Sequence, residues 1–147
     1  MKEIDITKYN LKRFLSNLRS EDKDELLFFL GKNYRQKFIN FLLENKNDTY
    51  FLSFNNNPAC IGGFYQDTIG LQVWLLCSNS YDKKYLYKYI KEKFAIYKNK
   101  YNFIYNYIYK ANFKSLKLVR KLGFEVKELN NVNIKLFYYL KGDNLDI

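Results

Sequence analysis

The chain has 147 residues, 48% of them hydrophobic, which suits one domain with a real core and excludes wholesale disorder. It holds no histidine and two cysteines, Cys60 and Cys77, so histidine triads, HExxH metal sites, imidazole bases, disulfide frameworks and closed zinc sites are all excluded. The net charge of +10 is local: residues 81–121 carry 12 Lys/Arg against 2 Asp/Glu, while the flanking segments nearly balance.

In chain order, the acid-bearing start Met1-Lys2-Glu3-Ile4-Asp5 is unlike a cleaved secretory signal, and Met1–Thr7 predicts a short strand with Ile4 and Ile6 on one face. No run reaches the roughly 18 apolar residues of a membrane span, so no membrane partner and a cytoplasmic setting are expected. Leu11, Phe14, Leu15 and Leu18 recur at helical spacing. Ser20, followed by Glu21, Asp22, Asp24 and Glu25, predicts an N-cap before Leu26–Leu30, with Gly31 as the stop. Another helix runs through Phe38, Ile39, Phe41, Leu42 and Leu43. Strands are expected at Tyr50–Phe54, Ala59–Tyr65 and Ile69–Cys77, with Asn55-Asn56-Asn57-Pro58 as a turn and Gly62-Gly63 as a bulge or close backbone approach.

A long helix follows from about Asp82 to Lys98, its stripe built from Tyr85/Leu86, Tyr89/Ile90, Phe94 and Tyr97. Asn102–Tyr109 alternates as a strand. Asn112 predicts the N-cap of a helix carrying Leu116, Val119 and Leu122, which Gly123 ends. Phe124–Leu129 and Val132–Leu140 close the chain as a hairpin, with Val132, Ile134, Leu136, Tyr138 and Leu140 on one face. The basic block has two readings, an anion-binding face or ordinary solvated lysines in a chain with 21 Lys, 4 Arg and 18 Asn.

The segment Asn112-Phe113-Lys114-Ser115…Leu122-Gly123-Phe124, lying between two strands, resembles the Asn-x-x-(Ala/Ser)…Leu-Gly-Phe segment of GCN5-related N-acetyltransferases (GNATs). Leu18-Arg19-x-x-Asp22-x-x-Glu25, Pro58-Ala59-x-x-Gly62, Trp74-Leu75-Leu76 and Asn106-Tyr107-Ile108-x-x-x-Asn112 are similar to phage-encoded GNAT-like proteins, which would admit a virion as an alternative location. The resemblance implies one GNAT-like α/β domain over residues 1–147. Its mixed, mostly antiparallel sheet would have about seven strands flanked by helices, with the fourth and fifth strands splayed. It further implies acetyl-CoA as acyl donor and a primary amine, protein or small molecule, as acceptor.

On that resemblance, the strand around Trp74, Leu75, Leu76 and Cys77 pairs with the pantetheine arm, and the helix starting near Tyr81 receives the pyrophosphate. The glycine loop (Gln/Arg)-x-x-Gly-x-(Gly/Ala) is replaced by Ser78-Asn79-Ser80-Tyr81-Asp82-Lys83-Lys84, where Ser80 or Asp82 can cap the helix and Lys83 and Lys84 can supply charge. Val119 occupies the position where many family members carry a Tyr acid. Between Ile69 and Ser78 there is no carboxylate. Tyr109, Tyr107 and Asn106 are the remaining catalytic candidates, each also readable as a sheet residue.

Asn112 and Ser115 are cofactor-binding candidates, with plain helix capping as the other reading of Asn112. Arg19 and Asp22 read as capping and a surface ion pair, or as an acceptor-site pair. The two thiols read as buried and inert. The alternative to a transferase is a GNAT-like module without turnover, acting in interaction, in a virion or on nucleic acid through residues 81–121. Nucleic acid is the less favoured partner.

Overall fold

The computed structural model describes residues 1–142. Its strands are β1 (Lys2–Glu3), β2 (Thr49–Phe54), β3 (Asn57–Gln66), β4 (Leu71–Cys77), β5 (Phe103–Tyr109), β6 (Glu125–Glu128) and β7 (Ile134–Leu140). Its helices are α1 (Lys8–Ser16), α2 (Ser20–Leu30), α3 (Tyr34–Glu44), α4 (Lys83–Lys100) and α5 (Phe113–Lys121). The strands form one mixed sheet in the order β1-β2-β3-β4-β5-β7-β6, with β4 parallel to β5. The α/β class and the seven-stranded mixed sheet are as expected. Among the described residues no helix is long and apolar enough to cross a membrane.

The chain divides into two compact units. One comprises Met1–Gly63 with Trp74–Leu86; the other comprises Phe64–Val73 with the chain from Tyr87 onward. In the first, the i, i+3, i+4, i+7 stripe of Leu11, Phe14, Leu15 and Leu18 is buried together with Phe38, Ile39 and Leu42 of α3 and Phe51, Ile61 and Leu76 of the strands. Phe14 meets Phe51 edge-on with ring centroids 5.7 Å apart, and Phe38 meets Trp74 in the same manner at 5.9 Å. Thr7 Oγ1 accepts the Asn10 N–H at 3.1 Å and caps α1.

The β2–β3 turn uses Asn55 (φ 52°) and Asn56 (φ 66°), a left-handed pair that asparagine tolerates better than most side chains. Gly62 and Gly63 mark close backbone approach. A Cβ on Gly62 would lie 2.8 Å from Trp74 O, and one on Gly63 would lie 2.7 Å from Asp48 O and 2.8 Å from the Trp74 indole nitrogen.

In the second unit, Leu71, Ile104 and Ile108 from the strands pack with Phe94 of α4, Leu116 and Val119 of α5, Phe124 and Phe137. Phe94 stacks on Phe124 at 4.6 Å, and Phe124 meets Phe137 edge-on at 5.1 Å. Asn112 caps α5, its side chain accepting the Ser115 N–H at 3.2 Å, and Gly123 (φ 96°) follows the helix end in the left-handed conformation.

Several local expectations need correction. The first strand shrinks to Lys2–Glu3, and Ile4 and Ile6 pack against the core just beyond it. Ser20 is the first residue of α2, with Arg19 at the cap position and no side-chain cap bond there. Ile69 lies in the β3–β4 turn at 66% exposure, and Tyr85 falls off the buried stripe of α4, which rests on Leu86 and Phe94. On β7 the buried residue is Phe137, from the face opposite the expected row, and Val132 precedes the strand. Both faces of that strand are apolar, so alternation alone does not select between them.

Gly63→Ala is expected to lower stability by about 1–3 kcal/mol, because backbone as well as side-chain atoms must shift to admit the methyl group. Urea unfolding checks this; a variant as stable as the parent would contradict the close approach.

Candidate functional site

The C-terminal end of β4 is held by an ionic clamp in the first unit. Asp22 is completely buried, and its carboxylate takes the Arg19 guanidinium through two bonds of 3.0 Å each and the Cys77 main-chain N–H at 2.7 Å. Arg19 N–H in turn donates to Cys77 O at 3.0 Å, and Leu18 pairs with Ser78 as an isolated antiparallel bridge. Both edge-facing groups of Cys77 are therefore engaged. Burial works against the Arg19 charge, but neighbouring Cys77 and Asp22 outweigh it and hold the guanidinium more firmly protonated than usual. The pair is an interior one rather than the expected surface ion pair.

The loop after the clamp satisfies its own main chain. Ser78 N–H donates to Ala59 O at 2.8 Å, Asn79 N–H to Asn17 O at 2.9 Å, Ser80 N–H to Ser78 Oγ at 3.1 Å and Tyr81 N–H to Ser78 O at 3.4 Å. Asp82 Oδ1 then accepts the N–H groups of Lys84 (3.0 Å) and Tyr85 (3.1 Å), so Asp82 and not Ser80 caps α4. Ser80 Oγ accepts from Asn17 Nδ2 at 3.0 Å. Lys83 and Lys84 follow, both exposed.

Of the other expected residues here, Leu76 is buried in the core, and Trp74 is half-buried with Phe38 and Phe41 edge-on to it. Leu75 is also half-buried. It lies two residues before Cys77, so the period-2 alternation of a strand turns its main-chain groups to the same edge.

In the second unit the β4–β5 ladder registers two pairs, Leu71 with Ile104 and Gln72 with Tyr105, although β5 runs on to Tyr109. There the Asn106 side chain intervenes, donating from Nδ2 to Val73 O at 2.9 Å and accepting Tyr107 N–H on Oδ1 at 2.8 Å. Asn106 is thus committed to main chain on both ends. Tyr107 is 46% exposed, and Tyr109 is half-buried. Asn112 and Ser115 are both buried at the α5 cap, and Val119 is in the core.

A polar cluster absent from the candidates above also lies in this unit. The Tyr105 hydroxyl donates to Asp67 Oδ2, which also receives Gln72 Nε2 at 2.8 Å; Asp67 Oδ1 accepts Ile69 N–H at 2.8 Å and Gly70 N–H at 2.9 Å. Donation from Tyr105, then Gly70 and Gln72, holds the Asp67 carboxyl well below the usual range, while burial and the bond to Asp67 push Tyr105 up. An acid so stabilised in its charged form is a poor proton acceptor near neutrality, and its work is to pin the β3–β4 turn to β5. The Asp67-Thr68-Ile69-Gly70 turn was the sequence signal for it; its partner on β5 had none.

No protein-family model and no curated protein matches the sequence. Solved structures do match. The Campylobacter jejuni N-acetyltransferase PseH, solved in complex with acetyl coenzyme A, is 16% identical and aligns over 96% of this chain and 99% of its own with a TM-score of 0.60. The GNAT domain of S. lividans PAT is 14% identical over 91% and 86%, TM-score 0.62, and a GNAT-family acetyltransferase from Bacillus anthracis is 14% identical over 94% and 90%, TM-score 0.61. The chain has the GNAT fold.

Removing the buried acid with Asp22→Ala is expected to cost about 3–5 kcal/mol, because the buried Arg19 charge loses its carboxylate counterion and the Cys77 N–H its acceptor; denaturant unfolding measures it, and a change under 1 kcal/mol would contradict the clamp. Burial pushes the Cys60 thiol from its ordinary 9.0 up to about 12. Its contribution to stability is therefore full below pH 9 and is lost as pH rises toward 12. Cysteine-specific labelling of the native protein at mildly alkaline pH should spare Cys60 until unfolding, and prompt labelling would oppose this.

Proposed function

We propose that the protein is an acetyl-CoA-dependent N-acetyltransferase acting on a primary amine, with residues 1–147 as one functional domain. The observation that carries this reading is the parallel β4–β5 pair whose ladder stops after Gln72 and Tyr105, within a fold shared with acetyltransferases along nearly the whole chain. Bound acetyl-CoA would supply an activated acetyl thioester.

On the β4 edge, Val73 O is taken by Asn106 and Cys77 by the Arg19–Asp22 clamp, so Leu75, between them, is the residue that would pair with the amide-bearing arm of the carrier. Its N–H and C=O would extend the strand pattern by one exchange of hydrogen bonds. Asn106 fixes where the ladder ends and acts as a positioning residue. Trp74 and Leu76 shape the strand itself, and Asn112 and Ser115 form the cap of α5.

Proton transfer has few candidates. The chain has no histidine, and Val119 in the core offers no acid. Tyr107 and Tyr109 supply the hydroxyls we assign to proton handling, and Tyr107 is the more exposed. Most of the barrier reduction would then come from holding amine and thioester in line, which is the larger resource in such transfers. The acceptor, protein-borne or small, must reach the site as a neutral amine, so the rate is expected to rise with pH.

The self-satisfied loop and Val119 favour a second reading, a GNAT fold without turnover, serving as an interaction or nucleic-acid-binding module. Calorimetry with acetyl-CoA and a thiol-release assay over a panel of amines separate the two. The transferase reading predicts binding and amine-dependent thiol release, with Tyr107→Phe or Tyr109→Phe lowering the rate about 10- to 100-fold at unchanged acetyl-CoA affinity. Binding without release under every amine supports the second reading; no binding of acetyl-CoA or CoA at millimolar ligand removes the first.

A further inference from the structure

The two cysteines stand on neighbouring strands within the first unit, and main-chain bonds fix how they pair. Ser78 N–H donates to Ala59 O at 2.8 Å, which places Ala59 opposite Ser78 and therefore Cys60 opposite Cys77 on antiparallel strands. The same register sets Gly62 opposite Leu75, and a Cβ on Gly62 would lie 3.7 Å from Leu75 Cα, as that pairing requires. Cys77 turns both main-chain groups away from β3: its N–H goes to the Asp22 carboxylate at 2.7 Å, and its O accepts Arg19 N–H at 3.0 Å. Cys60 and Cys77 are thus a non-hydrogen-bonded pair, whose Cα atoms stand about 4.5 Å apart with both side chains on one face of the sheet. Both are thiols, 1% and 0% exposed.

We infer that Cys60 and Cys77 form a site of reversible oxidation, closing to a cross-strand disulfide when the protein meets hydrogen peroxide. The site is independent of the transferase reading. A disulfide spans Cα atoms roughly 4.4–6.8 Å apart, so this pair meets the requirement at its short end without the strands parting. The Arg19 guanidinium interacts electrostatically with Cys77, and a neighbouring cation favours the thiolate, the form that attacks. Burial pushes the Cys60 thiol up to about 12, which makes it the second sulfur to react. In the first step the Cys77 sulfur, its proton released, attacks one peroxide oxygen; the O–O bond breaks, and the departing hydroxide takes up that proton as water. The Cys60 sulfur then displaces hydroxide from the Cys77 sulfenic acid, and the Cys60 proton leaves with it as a second water. Together the two thiols give up two electrons, and one peroxide is reduced to two waters.

The bond would close a loop over the 16 residues between the two cysteines and tie β3 to the residue that carries the clamp. The clamp bonds run to the main chain of Cys77, so they survive oxidation of its sulfur. The native full-length protein is exposed to hydrogen peroxide, quenched with an alkylating reagent in denaturant and digested for peptide mass mapping, beside Cys60→Ala and Cys77→Ala. In the parent both thiols should disappear together and return as one linked peptide pair from a single chain, and dithiothreitol should restore both. The oxidised parent should unfold at higher urea than the reduced one, because the cross-link constrains the unfolded chain. Neither single variant should show that gain.

Two thiols that survive a peroxide exposure sufficient to oxidise glutathione in the same tube overturn the inference. Loss of the thiols as sulfinic or sulfonic acid with no linked peptide overturns it too, as does linkage between two chains. A linked form that unfolds at equal or lower urea contradicts the native register on which the site stands. The parent protein alone decides these outcomes if either alanine variant fails to fold, and none of them touches acetyl-CoA binding.

Discussion

The buried carboxylate of Asp22 is the constraint from which the candidate site follows. A charge taken wholly out of water is tolerable when it is paired and hydrogen-bonded on each lone pair that burial exposes, and Asp22 meets this with the Arg19 guanidinium and the Cys77 N–H. The partner atoms are main chain on the strand side. The clamp therefore fixes backbone geometry instead of side-chain identity at the end of β4. It also decides how much of that strand edge is left to bind anything: the edge closes at Cys77, and it is interrupted at Val73 by Asn106.

The loop that follows obeys the same economy of polar groups. Ser78 is fully buried, accepts from Ser80 N–H through its hydroxyl and donates that hydroxyl to Pro58 O at 2.7 Å. A loop ordered in this way is well specified without a ligand, with the N–H groups of Ser78, Asn79, Ser80 and Tyr81 all engaged inside the protein. On the proposed transferase reading, the carrier's arm would fall to one residue of strand edge, Leu75, between the Asn106 contact at Val73 and the clamp at Cys77.

Much of this molecule was legible in its sequence where the determinants are local. The Asn112 cap, the Gly123 stop and the Leu11, Phe14 and Leu15 stripe each rest on residues within a few positions of one another and formed as expected. Of the Asn55-Asn56-Asn57-Pro58 turn only the Asn55-Asn56 half did, Asn57 and Pro58 opening β3, and Leu18 lies past the end of α1. The Asn112–Phe124 segment, together with the element order, was enough for the fold. What sequence pattern did not carry is pairing across distance. Asp22 meets Cys77 over 55 positions and Asp67 meets Tyr105 over 38, and no spacing rule links them. Arg19 and Asp22 looked like surface capping residues because helix starts are usually wet; the Leu18–Ser78 bridge brings this one under cover. Asn106 was picked out as chemistry and turned out to be committed to main-chain groups on both sides. Its side chain does what a continued ladder would have done.

The most direct measurement is residue-resolved amide hydrogen exchange along β4, with and without acetyl-CoA. Cys77 N–H, bonded to a buried carboxylate, should exchange slowly in both states, and Leu75 N–H should slow markedly only when the ligand is present. Ligand binding that leaves Leu75 unchanged, or that alters Cys77 in its place, would contradict the account.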